Sequence, residues 1–377
     1  MRWIPVCVIC ISLPVAADEA IQFQAQVIDD NVGRVCYAVT TADVNGDGRR
    51  DIVGLTENRV IWYENPSWEP HVILEDQTPA DNVCIAPYDI DGDGQIDFAL
   101  GAGWTKIGTL HWISRKPDPQ EKWTVHAIGE ERSTHRMRFA DVLGTGKPQL
   151  VVSPLLATSG KGARLLAFEI PANPATDRWK ETVLNADMNR MHNHWHADIN
   201  HDGHIDTLTA SREGLHLVQR GANGFTAERL SSGATADELD QNGSGEVRFG
   251  RIKEKGLIAT VEPMHGHSVV TYSPSADGWQ REVVDTGFQR GHAISLTDLN
   301  GDGSDEIIFG HSDTPGTFGV IVYHSPATPG DKWQRIVVDA GGMATEDLLV
   351  EDLTGDGRPD IVAGGRASHN IKLYVQK

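Results

Sequence analysis

The stretch MHNHWHADINHDGHIDTL, residues 191–208, sets His192, His194 and His196 at alternate positions directly ahead of Asp198, Asn200, Asp202 and Asp206. Imidazole nitrogens suit zinc and neighbouring transition metals, whereas clustered carboxylate and amide oxygens suit calcium. Two ion chemistries therefore stand side by side. Which residues serve which is decided by how the rest of the chain reuses the pattern.

The oxygen side chains recur at offsets 0, +2, +4 and +8 in four further places: Asp43/Asn45/Asp47/Asp51, Asp89/Asp91/Asp93/Asp97, Asp298/Asn300/Asp302/Glu306 and Asp352/Thr354/Asp356/Asp360. A backbone carbonyl near +6 would complete an oxygen cage, with a glycine at +5 permitting the tight turn. Such flexible all-oxygen sets predict calcium, with magnesium the lesser alternative. An EF-hand would need a bidentate glutamate at the twelfth position, where this chain has Gly54, Leu100, Thr209, Phe309 and Ala363. The EF-hand fails, and acidic turns without an ion remain the competing reading. Related loops at Asp141 and Asp240 have lost ligands, Leu143, Thr145 and Gln149 standing in the first, and are expected to be empty.

Counting the degraded copies, the loops begin at Asp43, Asp89, Asp141, Asp198, Asp240, Asp298 and Asp352, which makes seven units spaced 42 to 58 residues apart. A partly apolar run precedes each loop and a β-branched run follows it, as in Ile52-Val53, Ile307-Ile308 and Ile361-Val362. A third run (RVIWYENP, TLHWIS, GVIVYHSP) and a fourth opening on tryptophan (KWTVHAI, RWKETVL, KWQRIVV) complete the unit. Four short strands per repeat predict an all-β, seven-bladed β-propeller of four-stranded blades. The chain ends on NIKLYVQK, a third-strand type, and residues 22–29 read as the missing fourth strand of the last blade. Closure from both termini would seal the ring without exposed sheet edges. Trp123, Trp179, Trp279 and Trp333 are expected in the packing between blades.

This loop-and-strand pattern resembles the FG-GAP/VCBS calcium-binding propeller repeats. The resemblance spans residues 21–377 as a single propeller domain and carries the fold strongly, but fold alone does not assign an activity.

Counting back six residues from each first Asp gives Tyr37, Val83, His135, His192, His292 and Glu346, three of them histidine in a chain with 16 histidines among 377 residues. In a propeller this register lies near the channel mouth, on the face opposite the ion loops. Loops joining second to third strands open on the same face and carry Lys106, Lys161, Arg212, His265, His267, His311 and Arg366. His135, His192, His292 and one of His265 or His267 are therefore candidates to meet over the axis as a Zn²⁺-like site, with an open position that polarises a substrate oxygen. Inter-blade hydrogen bonding, or a polar ligand without metal, is the alternative. His194 and His196 lie lower and stay undecided between ligation and packing.

The opening MRWIPVCVICISLPVAADEA has one basic residue, an apolar run and small residues before Asp18. It reads as a signal peptide over 1–17, cut between residues 17 and 20, and predicts an exported protein, periplasmic or extracellular, without a membrane span. Cys36 and Cys84 then remain, as two buried thiols or a single disulfide. The net charge of −20 argues against a nucleic-acid partner, and the five intact loops hold sixteen of the acidic side chains.

The segments THRMRFAD, MHNHWHAD, GSGEVRFGR with IATVEPMHGHSVVTY, and RGHAISLTD together resemble the propeller part of the aldos-2-ulose dehydratase family and its bacterial relatives. That resemblance implies metal-dependent elimination from a keto-sugar, an anhydro-sugar or a uronide. His135, His192, His265, His292 and Glu346 would supply the catalytic groups. Lys106, Lys161, Arg212, His267, His311 and Arg366 would contact the carbohydrate. A non-catalytic, calcium-stabilised propeller that binds glycan or protein through the same rim is the alternative function.

Overall fold

The β-branched runs after each loop, such as Asp51–Thr56, Asp206–Ser211 and Asp360–Gly365, are buried along their whole length and form the second strands of their sheets. Runs buried on both faces must be covered on both sides, and stacked blades provide that cover. The computed structural model describes residues 21–104, 106–157, 162–313, 317–326 and 331–377. The expected signal segment 1–17 and Lys161 lie outside the described residues.

The strands form seven four-stranded antiparallel sheets. Blades 1 to 7 have the inner strands Cys36–Ala42, Cys84–Tyr88, Thr134–Ala140, Met191–Ala197, Val247–Ile252, Gly291–Thr297 and Thr345–Glu351. Each inner strand touches that of the next blade, and blade 7 meets blade 1, so the ring is continuous. The outer strand of blade 7 is Phe23–Asp29, which pairs antiparallel with Ile371–Gln376. Helix is confined, among the described residues, to one turn at Leu239–Gln241, and no helix there is long and apolar enough to cross a membrane.

Seven apolar clusters hold the molecule together, one at each blade junction. Phe98, Leu100 and Trp123 of blade 2 interlock with Leu55, Trp62 and Leu74 of blade 1. Truncating a fully buried aromatic such as Phe98 to alanine would cost about 3–5 kcal/mol. Trp123 and Trp179 are almost entirely covered, while Trp279 and Trp333 pack at the edges of the clusters around blade 5. Cys36 and Cys84 are separate, buried free thiols.

The acid at offset +8 has a distinct mechanical role. Asp51 accepts the backbone N–H of Val44 on one oxygen (2.9 Å) and of Asn65 on the other (2.8 Å). Asp97 receives Ile90 and Arg115 in the same way, and Asp360 receives Leu353 and Gln376. Asp206 and Glu306 likewise take Ile199 and Leu299. Each carboxylate thus ties the start of its loop to the strands around it.

Two of the seven loops differ. In blade 3, Gln149 replaces the acid; its Oε1 still accepts the Leu143 N–H (2.9 Å). Its Nε2 donates into the loop, to Thr145 Oγ1 at 2.9 Å and to the Lys147 carbonyl. A side-chain amide thereby fills the loop with donors at the position where the intact loops carry a carboxylate. In blade 5 the sequence alignment on Asp240 does not hold. Asp240 lies ahead of the inner strand, and that strand turns directly into the next through Lys253 and Glu254, with Ile252 paired to Lys255. A two-residue hairpin leaves no room for an ion loop, and the register of blade 5 must be recounted from its strand.

Candidate functional site

The residues six positions ahead of the loops are set apart by their backbone. The pairing of inner and second strands slips between Cys36 and Ala38, Thr134 and Arg136, Met191 and Asn193, Gly291 and Ala293, and Thr345 and Asp347. The residue left out of each ladder is Tyr37, His135, His192, His292 or Glu346. A bulge re-aims the side chain it carries, here at the same level in five blades. In blade 5 the corresponding residue is Glu246: Gly245 N bonds Val261 O (2.9 Å) and Val247 pairs with Thr260, which leaves Glu246 between them. Counting from Asp240 hid this residue, whereas aligning GEVRFG with GHAISL would have found it.

His265 comes from the loop after the second strand of blade 5, and that loop is locked from several sides. Glu262 at its base is fully buried and receives both Arg281 Nε (2.9 Å) and Nη2 (2.8 Å), with Tyr272 Oη at 2.7 Å. Gly266 O accepts the Gly291 N–H of blade 6 (2.8 Å). A Cβ on Gly245 would meet Met264 O at 1.9 Å, so only glycine allows the inner strand and the His265 turn to approach this closely.

Three imidazoles converge. Ligand atoms of His192, His265 and His292 all lie within 4.8 Å of one another, with His265 Nε2 2.7 Å from His192 Nε2. His265 and His292 stack with ring centroids 5.0 Å apart, and His192 stands edge-on to both. The Nδ1 atoms of the bulge histidines are already committed to backbone carbonyls: His135 to His192 O (2.9 Å), His192 to Gly245 O (2.8 Å) and His292 to Glu346 O (2.6 Å). Each donates to the next blade at nearly the same register. A carbonyl partner forces the proton onto Nδ1 and leaves Nε2 with a free lone pair, which is the form a metal or a proton requires. Burial, together with neighbouring arginines and imidazoles, holds His135, His265 and His292 well below the usual histidine range, so they remain neutral.

Two carboxylates flank the cluster. Burial pushes Glu246 up, but His192, Arg136 and Arg248 around it hold it below the ordinary glutamate range. Its Oε1 lies 3.0 Å from His192 Nδ1 without accepting that N–H, which is directed at Gly245 O. Glu346 is paired with Arg366 (2.6 Å) and lies 3.6 Å from Arg290, and its Oε2 has no hydrogen-bond partner.

The other expected residues divide. His135 stands beside His192, ring centroids 4.7 Å apart, and against Trp104. Arg366 joins through Glu346. His267 is exposed and lines an outer pocket with His265. His311 is diverted: its ring packs on Phe288 and Phe309, and Nδ1 lies 3.4 Å from Asp313. Arg212 pairs with Glu213 (3.2 Å), and Lys106 is exposed on its loop. His194 and His196 lie between blades, Nδ1 on Ser153 Oγ (2.9 Å) and Thr207 Oγ1 (3.0 Å), outside the cluster.

The five ion loops share one turn geometry. In blade 2 the oxygens of Asp89, Asp91 and Asp93 lie within 4.8 Å of one another, a spacing that one hard cation spans. In the other four intact loops an asparagine or threonine holds the +2 position of Asp91. The +2 and +4 side chains bond within the turn in all five loops, in blade 2 as the Asp93 N–H to Asp91 Oδ1 (3.2 Å) and the Gln95 N–H to Asp93 Oδ1 (2.8 Å). Asn45 Oδ1 accepts the Asp47 N–H (3.0 Å), and Asn45 Nδ2 donates to Glu64 Oε1 (3.2 Å). Asp47 accepts the Arg49 N–H (2.8 Å) and faces the Arg49 guanidinium at 3.6 Å. Asn200 both accepts the Asp202 N–H (2.9 Å) and donates to the Asp202 carboxylate (3.0 Å). Asn300 Oδ1 accepts the Asp302 N–H (3.0 Å), while Asp302 meets Lys253 at 3.2 Å. Thr354 turns its hydroxyl to Asp356 and donates its backbone N–H to Asp360 (3.1 Å), and Asp356 pairs with Arg358 (2.6 Å). The first acids, Asp43, Asp198, Asp298 and Asp352, collect N–H groups of their own turns. Asn45, Asp47, Asn300 and Thr354, expected as calcium ligands, thus share the turn conformation of Asp91 and Asp93, in which short polar side chains bond to the backbone two residues on.

Residues 107–275 match the family described as the β-propeller domain of aldos-2-ulose dehydratase, and residues 43–100 and 298–363 match FG-GAP-like repeats. Aldos-2-ulose dehydratase of Phanerodontia chrysosporium is 24% identical over 233 residues, covering 54% of this chain and 26% of the dehydratase. Integrin alpha-6 of Gallus gallus is 26% identical over 217 residues, 54% of this chain and 19% of the integrin. The matches thus span about a quarter or less of these relatives. Among solved structures, BBS1N in complex with ARL6DN covers 95% of this chain and 98% of its own at a TM-score of 0.59 and 14% identity. The extracellular domain of a hybrid two-component system from B. thetaiotaomicron covers 94% of this chain and 39% of its own at a TM-score of 0.54 and 12% identity. At those identities the two structures speak to fold alone. The chain is a seven-bladed β-propeller with FG-GAP-like repeats at 43–100 and 298–363, and its residues 107–275 resemble the propeller domain of aldos-2-ulose dehydratase.

Proposed function

We propose that this propeller is an exported, metal-dependent carbohydrate lyase or dehydratase, eliminating water or a glycosidic oxygen from a keto-sugar, an anhydro-sugar or a uronide at the histidine end of its channel. The observation that carries this reading is the convergence of His192, His265 and His292, two of them fixed with Nδ1 protonated. Adhesion requires no such constellation. The donor set fits Zn²⁺ or a similar ion: three imidazoles, buried or nearly so, two of them supported by second-layer carbonyls. When bound, such an ion polarises a substrate carbonyl or hydroxyl and stabilises the negative charge that proton loss creates.

The chain's own groups supply the rest. His135, neutral and with Nδ1 held by His192 O, presents Nε2 to take the proton from the carbon beside the carbonyl. The bond from the β-carbon to its oxygen then breaks, and the same imidazolium returns the proton to the leaving oxygen, so that water or an alcohol departs. The unpartnered Oε1 of Glu246 and Oε2 of Glu346 offer acceptors for substrate hydroxyls. Arg366 and Arg290 keep Glu346 in place. Calcium in the five intact loops would brace the blades at the opposite face without entering the chemistry. The Asp89 loop has three acids within 4.8 Å of one another.

Metal analysis of the purified protein tests the proposal, expected to return about one zinc-like ion per chain beyond calcium. A panel of keto-sugars, anhydro-sugars and uronides should yield an unsaturated, ultraviolet-absorbing product. Calcium alone, and no such product from any substrate, would favour a glycan- or protein-binding propeller instead, the reading to which the integrin match lends support.

A further inference from the structure

A second constellation lies in the channel on the ion-loop side of the histidines. A cavity of about 510 Å³ is lined by Arg136, Arg138, Arg248, Trp195 and Asp347, and continues past Tyr88 and Phe139, whose rings stack at 4.7 Å. Three guanidiniums share this space, and none is exposed: Arg248 retains 7% of its surface and the Arg136 side chain 12%.

Each guanidinium carries five N–H donors, and a buried one is stable only when acceptors surround it. The protein provides few. Arg138 makes one side-chain hydrogen bond among the described residues, to Asn193 Oδ1 at 2.9 Å. Arg136 and Arg248 donate to the carbonyls of His135 (3.1 Å) and Val247 (2.8 Å) beside them. The Glu246 carboxylate lies 3.9 Å from Arg136 and 3.8 Å from Arg248, beyond hydrogen-bond reach. Asp347 spends an oxygen on the Val39 N–H (3.1 Å). Three cations therefore face two carboxylates, and all three line the cavity. Burial accordingly pushes Arg138 down to about 9, the mark of a cation short of counter-charge.

The apolar surfaces complete the picture. Arg248 Cζ lies 4.6 Å and Arg138 Cζ 5.2 Å from the centre of the Trp195 ring, so both guanidiniums are held against one indole. Cation–π contact of this kind holds both guanidiniums against the indole, and a guanidinium fork suits a bidentate oxyanion. Tyr88 and Phe139 add an aromatic face farther along the cavity, of the kind that covers a sugar ring.

We propose that this cavity is a binding site for a small organic oxyanion, a sugar acid or sugar phosphate, clamped by Arg138 and Arg248 with Arg136 behind them. The site does not depend on the histidine cluster being catalytic, since it has its own donors and its own cavity. Occupation would supply the missing acceptors and bring the channel to charge balance.

The test is isothermal titration of the full chain with gluconate, glucose 6-phosphate and inorganic phosphate at fixed ionic strength. Saturable binding of either sugar anion, tighter than that of inorganic phosphate, is expected, with affinity reduced at least tenfold in Arg138→Gln and in Arg248→Gln. A crystal of the unaltered protein soaked in selenate should show its anomalous peak between these two guanidiniums. This measurement holds even where the variants fail to fold. Selenate elsewhere or nowhere in the channel overturns the proposal, as does sugar-anion binding that both variants retain. Phosphate binding as tightly as both sugar anions would also overturn it, by removing the sugar from the assignment.

Discussion

Replacing Gly245 by alanine probes the histidine cluster without touching any histidine. The new Cβ would stand 1.9 Å from Met264 O and 2.7 Å from Met264 C, against ~3.4 Å for an ordinary contact, so strand and turn must part by about 1.5 Å. The turn carries His265, and the carbonyl of Gly245 itself receives His192 Nδ1 at 2.8 Å. One methyl group thus displaces two of the three imidazoles. A shift of about 1 Å in a reacting constellation costs on the order of 100-fold in rate, or about 2.7 kcal/mol of transition-state stabilisation. Gly245→Ala is therefore expected to lose roughly 100-fold in elimination rate and to release its zinc-like ion at lower chelator concentration. Overpacking costs about 1–3 kcal/mol, which seven apolar junctions can absorb, so the variant should remain folded by far-ultraviolet circular dichroism. A folded variant that holds its metal and turns over within threefold of the parent would refute the reasoning.

Three further outcomes follow from the same geometry. His192→Ala removes the imidazole in ring contact with His135, His265 and His292 and should abolish both product and bound transition metal, read by absorbance and elemental analysis. Arg281→Met strips the bidentate partner from the fully buried Glu262 and should cost about 3 kcal/mol of stability, seen as a lowered midpoint in denaturant. Burial pushes Asp51 and Asp97 up to about 6. Their contribution in the cation-free chain is greatest below the unfolded value near 4 and is lost as pH rises through 6. The gain in melting temperature on adding calcium should accordingly be larger at pH 7 than at pH 5, and a gain independent of pH would contradict this account.

The propeller was legible because its unit repeats: six loops followed by β-branched runs, with four short strand runs in every unit, leave little freedom in strand order. The histidine register was legible for a related reason, since one bulge recurs at one offset and carries Tyr37, His135, His192, His292 and Glu346. What escaped was whatever broke the period. Blade 5 has exchanged its ion loop for a two-residue hairpin, so counting from Asp240 missed Glu246, the carboxylate against His192. His311 shares the register of a rim loop yet turns into the Phe288–Phe309 wall, because an aromatic contact there outweighs exposure at the rim. Spacing cannot distinguish those outcomes, as both satisfy the same strand pattern. The Arg136–Arg138–Arg248 group was invisible for another reason: its members come from two blades and meet only when the ring closes.

The amide of Gln149 sets blade 3 apart in a way that matters when divalent ions are scarce. Its loop carries its own donors and blade 5 has no loop to fill, so under the proposed calcium binding only blade 4, within the arc that supplies His135, His192 and His265, would depend on an external cation. Under chelation the ring should therefore loosen unevenly, with blades 1, 2, 6 and 7 opening to proteases before the histidine-bearing arc does. Such a molecule would fail from its seam inward, and its first cleavage products would retain most of the candidate site.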